Sequence, residues 1–98
     1  MRRNEIEVCI EELLVNIVCY AGLRADQFID LRIAQTENEY LVTLKDNGKA
    51  FDPVAYHNSH ENLGLTLAKG LSTKMEYKFM YGQNMCFLHF FAETKSSV

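Results

Sequence analysis

Glu12 and Asn16 stand four residues apart in the stretch "NEIEVCIEELLVNIVCYAG". On a helix that spacing puts both side chains on one face, a turn apart. A carboxylate and a carboxamide so placed can hold a hydrated cation and steer a water or a hydroxyl; a solvated helix face is the plainer reading. Asn16 interrupts an otherwise apolar run from Leu13 to Cys19, and an amide in that company needs a partner. "KDNGKAFDP", residues 45–53, supplies a second group. Asp46 ends a strand pattern, where a carboxylate can accept from an exocyclic amine. Gly48, two residues on, lets a flat ring approach the backbone. An Asp-Asn-Gly hairpin turn accounts for the same letters. Gly64 in "NLGLTL" opens a helix pattern, whose free N–H groups and dipole attract phosphate. An ordinary helix start is the alternative there.

These residues need elements to position them. Ile6, Cys9, Ile10, Leu13, Leu14, Ile17 and Val18 recur at threes and fours, which predicts a helix over 4–22. Asn4 can cap it, with Glu7 completing a capping box, and Gly22 stands where a left-handed stop is wanted. "QFIDLRIAQ" alternates, with Ile29, Leu31 and Ile33 on one face, and pairs with "YLVTLKD" as an antiparallel hairpin. Residues 53–62 have no period and read as a loop. "LGLTLAKGLS" reads as a short helix with Leu63, Leu67 and Leu71 on one stripe. "KMEYKFMY" and "NMCFLHFFAE" are strands joined at a turn containing Gly82, and the tail 92–98 is expected to fray. The aromatic residues Tyr77, Phe79, Tyr81, Phe87, Phe90 and Phe91 are expected to pack a sheet face first and to form a partner surface second. Helices interleaved with hairpins predict an α+β fold: a two-layer sandwich, a mostly antiparallel mixed sheet with helices on one face.

A chain of 98 residues, 48% hydrophobic and 23% charged, accommodates a single domain over 1–98. Net charge is −3 with no basic block, which argues against a nucleic-acid partner. No apolar run reaches spanning length, and Met1-Arg2-Arg3 leads into acidic residues, so no membrane partner and a cytoplasmic location are expected. Cys9, Cys19 and Cys86 lack paired spacing and are expected as reduced, packed thiols.

Taken together, "EELLVN", "DNGKAFDP" and "NLGLTLAKGL" follow the order E-x-x-x-N, D-x-G-x-x-F-D-P, G-x-G-L. The chain thereby resembles the GHKL (Bergerat-fold) ATPases, and among these the bacterial anti-sigma factor serine-protein kinases of the histidine kinase-like ATPase branch. The likeness runs from about residue 5 to 91, including the strand, G-x-N turn and strand at the end. It implies ATP and Mg2+ as cofactors, with Asn16 on the metal and Glu12 orienting or deprotonating a serine hydroxyl or a water. It further implies Asp46 accepting from the adenine amine and Gly48 giving the ring room. Gly64 and Leu65 would offer N–H groups to the phosphates, Asn62 would stand at the phosphate loop, and 53–62 would form a lid. An anti-anti-sigma-type protein and a sigma factor are the implied partners. A related module that binds a protein without ATP turnover is the alternative.

The chain departs from the pattern at several places. Asn62 replaces a usual glycine, and Glu61 brings a negative charge near the phosphate loop. The lid is short and carries no Lys or Arg, only His57 and His60. Phe87 aligns with a small hydroxyl residue that supports the adenine-binding acid; it is expected as a core residue first, and as one that narrows the adenine pocket second. The usual strand and helix before the motif helix are lacking, which predicts an open sheet edge and a homodimer.

Overall fold

The computed structural model describes residues 3–59 and 62–91, and the order of elements is helix, two strands, two helices, two strands. Helix α1 runs Arg3–Tyr20; β1 Ile29–Gln35 and β2 Glu39–Asp46 form the first hairpin; α2 Pro53–Ser59 and α3 Leu63–Leu71 follow; β3 Lys74–Met80 and β4 Gln83–Phe91 form the second hairpin. The sheet order is β1-β2-β4-β3 and every pairing is antiparallel, so the expected mixed sheet is a purely antiparallel one among the described residues. α2 and α3 carry the chain from β2 across to the outer strand β3, and β4 returns between the two.

The two-layer sandwich follows from two periods meeting. Val42 and Leu44 of β2 alternate inward, as do Cys86, Leu88 and Phe90 of β4, and all five are buried. Against them α1 lays Ile6, Cys9, Ile10, Leu13 and Ile17. Burying a side chain of this size contributes about 1.5–3 kcal/mol. Val18, expected on the same stripe, is exposed. On α3 the inward residues are Leu65 and Ala68, not the stripe Leu63–Leu67–Leu71: Leu63 and Leu67 are exposed and Leu71 is partly buried. A short helix has two apolar stripes here, and the one that meets α1 wins.

Other ends differ from expectation for local reasons. Asn4 lies within α1 rather than capping it, since Arg3 before it is already helical. Gly22 does take the left-handed turn, at φ +59. Residues 53–59 are helix rather than loop: Asp52 Oδ1 accepts from Val54 N–H at 2.9 Å and Ala55 N–H at 3.1 Å, and Pro53 sits at the first helical position. The β3–β4 turn places both Tyr81 and Gly82 at positive φ, 55 and 70. Of the aromatic residues near the end, Phe90 is core, whereas Tyr81, Phe79 and Phe91 are exposed. Cys9 and Cys86 are packed thiols, and Cys19 is exposed. Glu61, His60 and the tail 92–98 lie outside the described residues.

Candidate functional site

The middle of α1 meets the start of α3. Asn16, 4% exposed, donates from Nδ2 to the Glu12 carbonyl at 2.7 Å and accepts at Oδ1 from Asn62 Nδ2 at 2.9 Å. Its buried amide thus has the partner that its apolar surroundings required. Asn62 caps α3, its Oδ1 accepting from Leu65 N–H at 2.9 Å, while its carbonyl takes Thr66 N–H at 2.9 Å. Leu65 N–H is therefore already used, and the donors left at this helix start are those of Leu63 and Gly64. The Glu12 carboxylate lies against Gly64: a Cβ at Gly64 would overlap Glu12 Oε2. Glycine here makes room for an acid, and that acid faces the positive end of α3.

The far end of α1 meets the end of β2. Asp46 is 1% exposed and directly opposite Asn84 in the β2–β4 register. Its Oδ1 accepts from Gly48 N–H and from Asn84 Nδ2, both at 2.9 Å. Oδ2 has no hydrogen-bond partner among the described residues. The segment that follows is not a hairpin turn. Asn47 Oδ1 accepts from Phe28 N–H at 2.9 Å, and Lys49 N–H donates to the Ala21 carbonyl at 3.0 Å, so the chain passes beneath the end of α1 toward α2. A Cβ at Gly48 would fall 2.6 Å from the Ala21 carbonyl oxygen and 3.0 Å from Ala21 Cβ. The space that Gly48 frees is taken by the helix end, which ties α1 to the sheet corner.

Asn84 is the site residue that sequence reasoning missed. Its Oδ1 accepts from Phe51 N–H at 2.9 Å and from the Tyr77 hydroxyl, and its Nδ2 donates to Asp46 and to the Lys49 carbonyl, both at 2.9 Å. All its bonding capacity is used, three bonds on Asp46 and the segment after it and one on Tyr77 of β3. Burial, and after it the Asp52 carboxylate, pushes the Tyr77 phenol up from its ordinary value, so it stays a donor to Asn84. Phe87, aligned with the supporting hydroxyl position, pairs with Thr43 and belongs to the opposite sheet face, where it lines a shallow depression with Leu41 and His89. It does not narrow the corner at Asp46. The signal available was the polar residue heading the alternation Asn84, Cys86, Leu88, Phe90.

Two neighbouring residues, Tyr56 and His57, anchor α2. Tyr56 packs on Tyr20 with ring centroids 4.7 Å apart, and Phe51 lies 5.2 Å from Tyr20 and 5.6 Å from Tyr56. His57 Nε2 and Thr66 Oγ1 are 3.1 Å apart, joining α2 to α3. The three sequence motifs thus converge about α1: Glu12 and Asn16 with Asn62 and Gly64 at its middle, Asp46 and Gly48 at its end. Hard oxygen ligands, the Asn16 carboxamide and the Glu12 carboxylate, suit Mg2+.

Residues 1–86 match the family described as histidine kinase-like ATPase domain. Among solved structures, the chain is similar to the histidine kinase domain from the Erythrobacter litoralis EL346 blue-light activated histidine kinase, with a TM-score of 0.68 and 20% identity. That likeness covers 88% of this chain and 42% of the other, so the chain spans less than half of that protein's length. No curated protein matches. Among the described residues no helix is long and apolar enough to cross a membrane. The family match over most of the chain, together with the α+β fold, means that this chain belongs to the histidine kinase-like ATPase domain family.

Proposed function

We propose that the domain binds Mg-ATP and transfers its terminal phosphoryl group to a serine hydroxyl of a partner protein. The observation that supports this best is Asp46: a buried carboxylate whose Oδ1 accepts two hydrogen bonds and whose Oδ2 has no partner among the described residues. An acceptor so placed suits an exocyclic amine such as that of adenine. Leu63 and Gly64 N–H at the start of α3 suit phosphate oxygens. A bound magnesium ion would take the Asn16 carboxamide oxygen and neutralise phosphate charge. Glu12 would accept the serine proton as Oγ bonds to the γ-phosphorus and the bond to the bridging oxygen of ADP breaks. The motif order supports an anti-anti-sigma-type protein as acceptor and a sigma factor as the regulated partner. Titration with ATP, with and without Mg2+, should show saturable binding, and labelled phosphate should reach the partner's serine. Absence of saturable binding at millimolar ATP would reject the proposal. Binding without transfer, unaffected by Glu12→Ala, would favour a module that binds nucleotide and partner without turnover.

We further propose that a second copy covers the outer edge of the sheet. Leu31 and Ile33 face the helix side, opposite buried Leu44 and Val42, yet are 44% and 55% exposed. β1 is an edge strand. Antiparallel pairing of two β1 edges centred on Leu31 sets Asp30 opposite Arg32 and Ile29 opposite Ile33, matching charge with charge and apolar with apolar. Sedimentation should show a dimer that Ile33→Lys dissociates; a compact monomer in dilute solution would overturn this.

A further inference from the structure

Asn62 lies between the two groups that the nucleotide reading requires, and it holds both. Its Nδ2 donates to Asn16 Oδ1 and its Oδ1 accepts from Leu65 N–H, each at 2.9 Å. Asn16 Nδ2 is already committed to the Glu12 carbonyl, so Oδ1 is the atom that Asn16 can offer a cation. The Asn62 Nδ2 hydrogen that bonds that oxygen presents its positive end there and opposes a cation's approach. At the other end of the same carboxamide, Oδ1 covers one of the anion-seeking donors of α3. One side chain thus shields a metal ligand and a phosphate donor together. A glycine could make neither contact.

We propose that Asn62 is an affinity-setting clamp: in the resting protein it bridges Asn16 to α3, and Mg2+ and phosphate enter by replacing that bridge. The inference rests on the nucleotide reading above. It separates the two ends of the nucleotide. Adenosine, with no phosphate and no metal, meets only the Asp46 corner and leaves the clamp shut. Mg-ATP must open it.

The full chain, Asn62→Gly and Asn62→Ser are titrated calorimetrically with adenosine, with ATP, and with ATP plus Mg2+. Each hydrogen bond that binding no longer has to replace is worth roughly fivefold in affinity. Asn62→Gly removes both and should bind Mg-ATP roughly ten- to thirtyfold more tightly. Asn62→Ser keeps a cap on α3 but is too short to reach Asn16, so its gain should be about fivefold and appear only with Mg2+. Adenosine affinity should be the same in all three. Glycine is a tolerable cap, and a melting curve verifies that both variants fold. In the wild type, the Asn62 side-chain amide resonances should move on adding Mg-ATP and stay put with adenosine. Wild-type binding of Mg-ATP that neither variant tightens would overturn the clamp and leave the nucleotide reading standing. No nucleotide binding by any of the three would reject that reading and the clamp with it.

Discussion

Two glycines of this domain make room for different things, and replacing each by alanine should separate folding from chemistry. At Gly48 an added Cβ meets backbone, the Ala21 carbonyl oxygen at 2.6 Å, as well as Ala21 Cβ at 3.0 Å and Asp46 Oδ1 at 3.1 Å. Neither the helix end nor the strand end can give way alone, because Lys49 N–H is bonded to that carbonyl. Overpacking of this kind costs about 1–3 kcal/mol, against about 0.4–1 kcal/mol gained by stiffening the unfolded chain. Gly48→Ala should therefore lose about 1–2 kcal/mol, a fall in Tm of roughly 5–15 °C for a domain of this size. At Gly64 the obstacle is the tip of Glu12, which can swing aside. Alanine in a helix is worth up to about 1 kcal/mol over glycine, so Gly64→Ala should be as stable as the wild type or slightly more so. Its displaced carboxylate should abolish phosphoryl transfer. Urea denaturation and a transfer assay on both variants decide the matter. A Gly64→Ala protein that is less stable than Gly48→Ala, or that transfers phosphate normally, would refute the reasoning.

Further outcomes follow from the same contacts. Asn84→Ala strands Phe51 N–H, the Lys49 carbonyl and Asp46, and should cost about 2–4 kcal/mol in urea denaturation; a neutral change would show that the network is idle. Tyr81, non-glycine at φ 55 in a two-residue turn, should be bettered by asparagine: Tyr81→Asn should raise stability by about 0.5–1 kcal/mol, and a lower Tm would contradict the turn assignment. Burial pushes the Cys9 thiol up to about 11 and the Cys86 thiol up to about 12. In the unfolded chain these thiols ionise near about 8.5, so the native state keeps protons that the unfolded state sheds. Stability should hold below about pH 8.5 and fall as pH rises through 9 to 11, by up to about 1.4 kcal/mol per pH unit for each thiol. Cys86→Ala should flatten that slope, and an unchanged slope would exclude its burial as the cause.

Much of this arrangement is legible in the sequence where local pattern and tertiary demand agree. The threes and fours of α1 mark the buried face from Ile6 to Ile17 because one helix covers most of the sheet. Asn16 announces itself as an amide among apolar neighbours. The reading fails where partners are distant or elements short. α3 offers two leucine stripes, and only α1 decides between them. α2 is too short to show a period, although Asp52 and Pro53 carry a cap and a first-turn proline. Asn84 supports Asp46 from another strand, so no spacing within either strand reveals the pair, whereas alignment with a hydroxyl position pointed to Phe87 on the wrong face.

Nucleotide binding as proposed turns on Asp46 accepting from the adenine amine, and Asp46→Asn tests it most directly. The amide oxygen can still accept from Gly48 and Asn84, so the fold should survive, while the other position becomes a donor facing a donor. Losing a charge-assisted hydrogen bond of about 1.5–3 kcal/mol should weaken adenosine and ATP alike by about 10- to 100-fold, with Tm little changed. An Asp46→Asn protein that binds adenosine as tightly as the wild type would contradict the account.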